Sequence, residues 1–361
     1  MNHIIGEINY SYINQMLLEA VGVIAITIIS FLAAFAATPV VINLLRRLNM
    51  GKQIREDVNA PVFISLHKMK AGTPTMGGVV IWGTVLSMAL AFSVLNRVFG
   101  GFWDYLDFID RAQTYLPLAA FAIGALLGLL DDLLGVFKIG ALGGGIRAWH
   151  KFSAYIILAL LGAWWFYFVL GWKELHIPFY GGLDVGWAYF PIFMFIMIAS
   201  AFSANETDGL DGLLGGVSLF AYGALIVVAF ALGRYDLAMM GAAIVGALLA
   251  FLWFNIHPAK FFMGDTGSMS LGVTLGVMAM LTNTVVLLPL FFIIPVIESI
   301  SVIIQRISKK VWKRKIFLST PIHHHFEAIG WPESQITMRF WIISVVAVAF
   351  GLAIFFVDKF L

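Results

Sequence analysis

The sequence has no cysteine and few charged residues, and both shortages exclude classes of protein. Without cysteine, the 361-residue chain forms neither disulfides nor thiolate metal sites. Charged residues make up 12% of the chain and hydrophobic residues 61%, and the mean hydropathy is +0.94. Apolar runs long enough to cross a bilayer recur along it, so we predict an all-α, polytopic membrane bundle rather than a soluble protein. The lipid bilayer then surrounds the chain, and we expect no nucleic-acid partner.

The apolar runs predict about ten transmembrane helices within one domain, residues 1–361. No basic leader with a cleavage site precedes the first run, so we predict no cleaved signal peptide. Pro289 and Pro295 predict a broken helix near 286–305, and two glycines at 181–182 favour a short hairpin at 173–186. The predicted spans are 17–45, 77–99, 114–130, 151–172, 187–204, 213–232, 237–256, 268–285, 286–305 and 338–357.

Basic residues are distributed unevenly between the two ends of these helices. If the first span runs inward, 17 of the 22 Lys and Arg residues fall on the inner connections. The positive-inside rule then places both termini outside and the inner connections in the cytoplasm. The same side carries the polar segments 67–78, 131–132, 205–212, 254–265 and 320–331. Their shared side predicts one site built from several connections.

The segment 205–212, NETDGLDG, places three acidic residues between two apolar runs. With helical spacing, Asn205, Asp208 and Asp211 share one face, and Gly209 and Gly212 leave the backbone open beside them. Acids at the mouth of apolar helices are costly unless they hold a ligand such as a metal ion. The alternative is a capped turn, because Asn, Asp and Gly are typical turn residues.

Three further aspartates flank apolar runs. Asp131 and Asp132 are predicted to end a helix, where the helix dipole makes adjacent carboxylates unfavourable unless a cation compensates. A magnesium ion or a nearby Lys or Arg meets that need, and magnesium prefers oxygen ligands. Asp265, in the sequence MGDTG, either caps the helix that follows or ligates the same ion. The alternative for the adjacent pair is two interfacial acids that mark a loop.

The segment GTPTMGG, 72–78, begins a predicted helix and contains Thr75. Backbone amides at a helix start bind phosphate oxygens, and Lys68 and Lys70 stand just before the segment. An ordinary helix start with a basic flank is an equal interpretation. Aromatic residues in FLWFN, 251–255, and at 261–262 indicate an interfacial belt, and a few of them suit stacking on a planar base.

Three consecutive histidines, His323, His324 and His325, fan out by about 100° each in a helix. They therefore favour contacts with anionic oxygens over ligation of a single zinc ion. The basic run before them, 306–315, is typical of an anchor against anionic lipid.

In this order, GTPTMGG, DD, NxTDGLDG, FLWFN, FMGDxGS and PIHHHFExxGW resemble the polyprenyl-phosphate N-acetylhexosamine-1-phosphate transferases. The resemblance covers nearly the whole chain, and PIHHHFEAIGW is similar to the branch that transfers phospho-N-acetylmuramoyl-pentapeptide. It implies magnesium-dependent transfer of that group from its UDP donor to undecaprenyl phosphate, which gives lipid I and UMP in peptidoglycan synthesis. It also implies a homodimer in the bacterial cytoplasmic membrane, with the site facing the cytoplasm.

The resemblance further implies roles for individual residues. Asp265, Asp131 and Asp132 are the expected Mg2+ ligands. The expected catalytic residues are these three aspartates together with His323, His324 and His325. The expected donor-binding residues are Lys70, Thr75, Asn205, Asp208, Gly209, Asp211, Asn255, Phe262 and Gln305.

The chain departs from the family pattern beside two of these motifs. Glu206 stands where the family has an apolar residue, and residues 133–135 replace a polar, basic stretch that is followed here by GALGGG, 140–145. Basic residues that compensate nearby are Lys138, Arg147 and Lys151. Two other functions share some features: a sister enzyme that moves N-acetylglucosamine-phosphate, and an ion-coupled transporter. The triple histidine argues against the first, and the second predicts acids near the bilayer midplane.

Overall fold

The computed structural model describes residues 2–51, 70, 72–109, 112–140, 145–146 and 148–360. Lys68, Arg147 and most of the segment 140–145 lie outside the described residues. The described chain is an all-α bundle with one small hairpin, which confirms the predicted fold class. The α-helices are α1 (Asn2–Arg47), α2 (Gly78–Phe99), α3 (Ala112–Val136), α4 (Ala148–Trp164), α5 (Tyr189–Thr207), α6 (Leu213–Ala231), α7 (Tyr235–Asn255), α8 (Asp265–Leu281), α9 (Leu288–Phe291), α10 (Ile293–Val311), α11 (Ile322–Ala328) and α12 (Glu333–Phe360).

Eight of the described helices, α1 to α7 and α12, are long and apolar enough to cross a membrane. The other two predicted spans differ from them. α8 has 17 residues, and every residue after Asp265 is buried among other helices. The second is divided into α9 and α10 at Phe292, which adopts φ −124° and ψ 37°. The broken helix predicted near 286–305 is therefore confirmed, and Pro289 and Pro295 lie on either side of the break.

The first predicted span, 17–45, lies within α1, which begins at Asn2 and is apolar enough to cross a membrane over Ile13–Arg47. One predicted helix end is wrong. α3 continues to Val136, one turn beyond Asp131 and Asp132, because leucines at 133 and 134 favour the helix. The two acids therefore project from the side of a helix instead of ending it.

Helix α8 lies at the centre of the bundle, with α3 and α5 packed against it. Glycines allow the backbones to approach. A Cβ atom on Gly128 of α3 would lie 2.2 Å from the carbonyl oxygen of Asp265, and one on Gly272 of α8 would lie 2.6 Å from that of Ser200. Membrane helices associate through such small residues, since the lipid tails are themselves apolar. The start of α8 is consequently fixed against α3.

The end of the bundle remote from the polar segments carries a two-stranded antiparallel hairpin, β1 (Glu174–Ile177) and β2 (Gly181–Asp184). This confirms the hairpin predicted at 173–186. His176 Nε2 lies 2.6 Å from Asp358 Oδ2 near the end of α12, and the His176 amide donates to Asn283 Oδ1 over 2.9 Å. The hairpin thus ties the end of α12 to the turn after α8. α1 also starts on this side, because its far end leads to Met50 beside Thr75.

Candidate active site

The first two amides of α8 are capped by a carboxylate from another helix. Gly264, with φ +74°, turns the chain into α8, and the amides of Asp265 and Thr266 donate to Asp132 Oδ1 and Oδ2 over 3.1 and 3.0 Å. Free amides at a helix start carry partial positive charge and are stabilised by an anion. Because Asp132 of α3 fills this position, the interpretation of Asp265 as the cap is wrong. The Asp265 side chain is left to face the site.

Lys151, in the first turns of α4, joins two of the predicted aspartates. Its Nζ lies 2.6 Å from Asp131 Oδ2 and 2.5 Å from Asp265 Oδ2. Asn205, in the last turn of α5, donates to Asp265 Oδ1 over 3.0 Å, and the amide of Ile146 donates to Asp131 Oδ1 over 2.6 Å. Four helices thus bring their polar ends to one point, which we call the aspartate cluster and define as Asp131, Asp132, Asp265, Lys151 and Asn205.

The aspartate cluster suits a divalent cation. Asp131 and Asp265 both contact the same lysine nitrogen, so one cation in that space reaches oxygens of both carboxylates. Two of the carboxylates contact one ammonium group, which leaves one formal negative charge between them. Mg2+ prefers carboxylate and phosphate oxygens. Asp132 differs from the other two predicted ligands, since both its oxygens face the amides of α8.

A second charged group lies between the turn after α5 and the start of α12. Lys70 Nζ contacts Asp211 Oδ1 at 2.7 Å and Glu333 Oε1 at 2.5 Å, and the Asp211 amide also donates to Glu333 Oε1 over 2.6 Å. Burial acts to raise the pKa of the Asp211 carboxyl, but Lys70 and the Ala259 amide outweigh it, so the pKa lies below its usual value. Asp211 is therefore ionised at neutral pH.

His257 lies beside this group, with Nδ1 3.0 Å from Asp211 Oδ2 and 3.5 Å from Glu333 Oε2. The ligand atoms of Asp211, His257 and Glu333 lie within 4.8 Å of one another, a spacing that suits a metal ion. The ammonium group of Lys70 contacts both carboxylates, as that of Lys151 contacts Asp131 and Asp265 in the aspartate cluster. Both groups therefore have the spacing of a cation site, and the family resemblance favours the aspartate cluster for Mg2+.

Phe262 and Asn255 form the wall next to Lys70. The ammonium group lies 5.6 Å from the centre of the Phe262 ring, within the range of a cation–π contact. Asn255 is used internally: its Oδ1 accepts from the Gly212 amide over 3.0 Å and its Nδ2 donates to the Phe261 carbonyl over 2.8 Å. Asn255 thus fixes the turn after α5 to the segment that carries Phe262.

Two amides of the GTPTMGG segment are not available to a phosphate. Gly77 and Gly78 donate to the carbonyls of Phe262 and Met263 over 2.7 and 2.8 Å. The phosphate-binding interpretation is wrong for these two amides, because the segment pairs with the chain before α8. Thr75 lies close to the aspartate cluster, since a Cβ on Gly264 would be 3.0 Å from Thr75 Oγ1 and 2.5 Å from Asp132 Oδ2.

Asn205, Asp208 and Asp211 do not share one helical face, so that prediction is wrong. α5 ends at Thr207, so the helical period stops before Asp211 is reached. Asn205 faces the aspartate cluster, whereas Asp211 faces Lys70. Asp208 and Gly209 form the turn between them, with the Gly209 amide donating to Thr207 over 2.9 Å. One short segment therefore serves two adjacent polar groups.

The three histidines lie in α11, where the rings of His323 and His324 contact each other with their centroids 4.0 Å apart. His323 is fully buried, with Nδ1 3.1 Å from Glu298 Oε2. His324 Nδ1 lies 2.6 Å from Glu327 Oε2, and His325 Nδ1 accepts from the Leu318 amide over 3.2 Å. The structure thus gives each ring a different partner in its immediate surroundings.

Gln305 is likewise occupied within the protein. Its Oε1 accepts from the amides of Ile316 and Phe317 over 2.9 and 3.1 Å, and its Nε2 donates to the Phe317 carbonyl over 2.8 Å. Gln305 therefore holds the connection between α10 and α11. None of these hydrogen bonds joins it to Lys70 or to the aspartates.

Sequence reasoning missed Glu333, His257 and Glu298, and it named Lys151 only as a compensating charge. Lys151 and Glu333 each lie in the first turns of an apolar helix on the predicted cytoplasmic side, and that position is the signal that marks them. His257 and Glu298 carry no such signal.

Comparison with known proteins shows the family of the chain. Residues 114–283 match the profile of Glycosyl transferase family 4, and residues 70–81 match a signature of phospho-N-acetylmuramoyl-pentapeptide-transferases. The chain is 39% identical over 345 residues to the protein of that name from Geobacillus thermodenitrificans, covering 93% of this chain and 98% of the relative. It is 37% identical over 334 residues to the one from Bacillus subtilis, covering 92% and 98%. The chain therefore belongs to the phospho-N-acetylmuramoyl-pentapeptide-transferase family.

Proposed function

We propose that this protein transfers phospho-N-acetylmuramoyl-pentapeptide from its UDP donor to undecaprenyl phosphate, which yields lipid I and UMP. The observation that carries the proposal is the aspartate cluster. In it Asp131 of α3 and Asp265 at the start of α8 both contact the ammonium group of Lys151. Both substrates bring phosphate groups, so the reaction chiefly requires that charge be neutralised and oxygens be aligned. A cluster of carboxylates with one mobile basic side chain is suited to that task.

The reaction is a phosphoryl transfer in which one bond replaces another. An oxygen of the acceptor phosphate forms a bond to the β-phosphorus of the donor, and the bond from that phosphorus to the bridging oxygen breaks. The electron pair stays on the bridging oxygen, which leaves as part of UMP. We favour this direct attack over a phospho-sugar intermediate on an aspartate, because the acceptor phosphate is already ionised near neutral pH and needs little activation.

Asp131 and Asp265 would hold Mg2+, which would neutralise charge on the pyrophosphate when bound. Asp132 keeps the start of α8 in place through its two amide contacts, and so positions Asp265. The ammonium group of Lys151 contacts both aspartates and stands at the end of a flexible side chain. It is therefore placed to turn from the carboxylates to the phosphates when the substrates bind. Asn205 orients Asp265 through its amide.

Lys70, Phe262 and Asp211 support a binding site for the nucleotide part of the donor. Phe262 presents an aromatic ring beside a lysine, and planar bases stack on such rings. Asp211 accepts hydrogen bonds from Lys70 and from the Ala259 amide over 3.0 Å, so its carboxylate is rigidly placed. Four other predicted donor-binding residues act by shaping the turn and the loops around this site: Asp208, Gly209, Asn255 and Gln305.

The polar end of the bundle faces the cytoplasm in this proposal, because the basic residues concentrate there. The acceptor keeps its isoprenoid tail in the lipid of the bacterial cytoplasmic membrane while its phosphate reaches the aspartate cluster. The family resemblance also implies a homodimer, which native mass determination in detergent tests. An ion-coupled transporter is less well supported, since the acids lie at helix ends rather than at the midplane.

The test is a transfer assay with purified protein, undecaprenyl phosphate and radiolabelled UDP-N-acetylmuramoyl-pentapeptide, in which both labelled lipid and UMP are measured. We expect both products with Mg2+ and neither after chelation. A parallel reaction with UDP-N-acetylglucosamine separates the sister activity, which would be the correct one if only that donor gave a lipid product.

Asp265→Asn tests the site in the same assay, with Asp104→Asn at the opposite end of the bundle as the matched control. We expect the first variant to lose transfer and the second to keep it. Full activity of Asp265→Asn would remove Asp265 from the proposed metal site, and a covalent phospho-sugar adduct trapped without acceptor would contradict direct attack.

A further inference from the structure

Glu298 and His323 form a buried charged pair directly beneath the turn that carries Asp208 and Asp211. Both side chains are completely buried. Glu298 Oε2 lies 3.1 Å from His323 Nδ1 and also accepts from the His323 backbone amide over 3.3 Å. The pair therefore joins the middle of α10 to the start of α11. The family resemblance names His323 among the expected catalytic residues, but neither residue has a role in the proposed steps of the reaction.

The imidazole ring of His323 touches the turn through Gly209. A Cβ atom added to Gly209 would lie 2.2 Å from His323 Nε2, so the ring occupies the space that a side chain would need. Gly209 lies between Asp208 and Asp211, and its amide donates to Thr207 at the end of α5. The position of the ring thus determines where the turn lies.

Charged groups from three helices influence the His323 ring. The carboxylates are Glu298 of α10, Glu327 of α11 and Glu206 of α5, Arg306 lies near Glu206, and the His324 ring packs against that of His323 with the centroids 4.0 Å apart. Burial alone acts to lower the pKa of His323, but the Glu298 carboxylate outweighs it, so the pKa is raised above its usual value. A buried carboxylate is costly without a cation, and His323 is the partner that Glu298 contacts among the described residues.

We propose that Glu298 is a positioning residue for donor binding: it keeps His323 as an imidazolium ion against Gly209 and so holds the turn at 208–212 in its binding conformation. This inference rests on the proposed function, because the turn is taken as part of the donor site. Glu206, which departs from the family pattern, is a further carboxylate near the ring.

The test compares Glu298→Gln, which removes the charge but keeps the shape, with Glu298→Asp, which keeps the charge. We expect Glu298→Gln to raise the donor KM about tenfold through loss of the ion pair with His323, with kcat and the acceptor KM unchanged. Glu298→Asp should recover part of the affinity. Ser299→Ala is the control, since it removes the neighbouring contact of 2.8 Å between Ser299 and Ser203 without touching His323. Equal donor KM values for all four proteins would overturn the proposal.

A second measurement uses the unmodified protein, so that it holds even if Glu298→Gln does not fold. Calorimetric affinity for the UDP-sugar donor is measured between pH 6 and 9. Because the pKa of His323 is raised, the imidazolium form should persist above pH 7, so affinity should stay constant from pH 6 to 7.5. A fall in affinity over that range, as expected for an imidazole with its usual pKa, would overturn the inference. Failure of the protein to bind or transfer any UDP-sugar would instead overturn the proposed function.

Discussion

Gly128→Ala adds one methyl group at the contact between α3 and α8, and the structure sets the size of its effect. The added Cβ would lie 2.2 Å from the Asp265 carbonyl oxygen, 2.4 Å from its carbon and 2.5 Å from Thr266 Cα. Ordinary contact begins at 3.4 Å, so the two backbones must separate by about 1.2 Å. All three atoms belong to the backbone, which has no rotamer that relieves the overlap. Overpacking of this kind costs about 1–3 kcal/mol of stability.

The same displacement moves the reacting groups. Asp132 holds the Asp265 and Thr266 amides over 3.1 and 3.0 Å, and a shift of that size breaks both bonds and moves Asp265 away from Asp131. A misplacement of about 1 Å costs roughly a hundredfold in rate. We therefore expect transfer by Gly128→Ala to fall about a hundredfold, measured with the labelled donor under saturating acceptor.

Gly135→Ala on the same helix is the matched control, because a Cβ there meets no atom within 4 Å. Replacing this helical glycine should leave activity unchanged and raise stability by up to about 1 kcal/mol. Thermal unfolding in detergent measures both variants. If Gly128→Ala kept activity within a factor of three of Gly135→Ala, the argument that close packing positions the aspartate cluster would be refuted.

Three further predictions concern charged residues. Lys151→Gln leaves Asp131 and Asp265 facing each other without their ammonium group, so transfer should fall at least a hundredfold while Mg2+ binding, followed by calorimetry, is retained; loss of the ion would contradict this. Lys70→Gln removes a salt bridge to Asp211 and should raise the donor KM about tenfold with kcat nearly unchanged, and a change in kcat alone would refute a binding role. Because the pKa of Asp211 is lowered, its stabilisation is complete above about pH 4 and is lost as pH falls through the lowered pKa. The melting-temperature difference between the unmodified protein and Asp211→Asn should thus be constant from pH 5 to 8 and shrink below pH 4.

The sequence predicted the fold correctly where one local feature determines the structure. Long apolar runs gave the spans, and Pro289 and Pro295 gave the break in the helix at Phe292. The helix end at Asp131 and Asp132 was predicted wrongly, since two leucines continue the helix in spite of the unfavourable dipole. That cost is offset by Lys151, whose contact with Asp131 no local pattern shows.

The sequence predicted that the polar segments form one site, but it did not predict which residues contact each other there. The distribution of Lys and Arg predicted that the polar segments lie on one side of the membrane, and the family motifs predicted most of the site residues. Partners depend on contacts between distant helices, such as the contact between Lys70 and Glu333, which are 263 residues apart. The division of Asn205 and Asp211 between two groups likewise depends on where α5 ends, and helix ends are the feature that sequence patterns define least well.

The complete enclosure of α8 affects how inactive variants of this protein should be interpreted. Every residue from Thr266 to Leu281 is buried among neighbouring helices, and the glycines of α8 lie where those neighbours leave no room for a side chain. Most substitutions in this stretch will therefore abolish activity by pushing helices apart, including at positions far from any phosphate. In a mutational scan, intolerance along this helix reports on assembly, and only loss of turnover without loss of folding identifies a residue that takes part in chemistry.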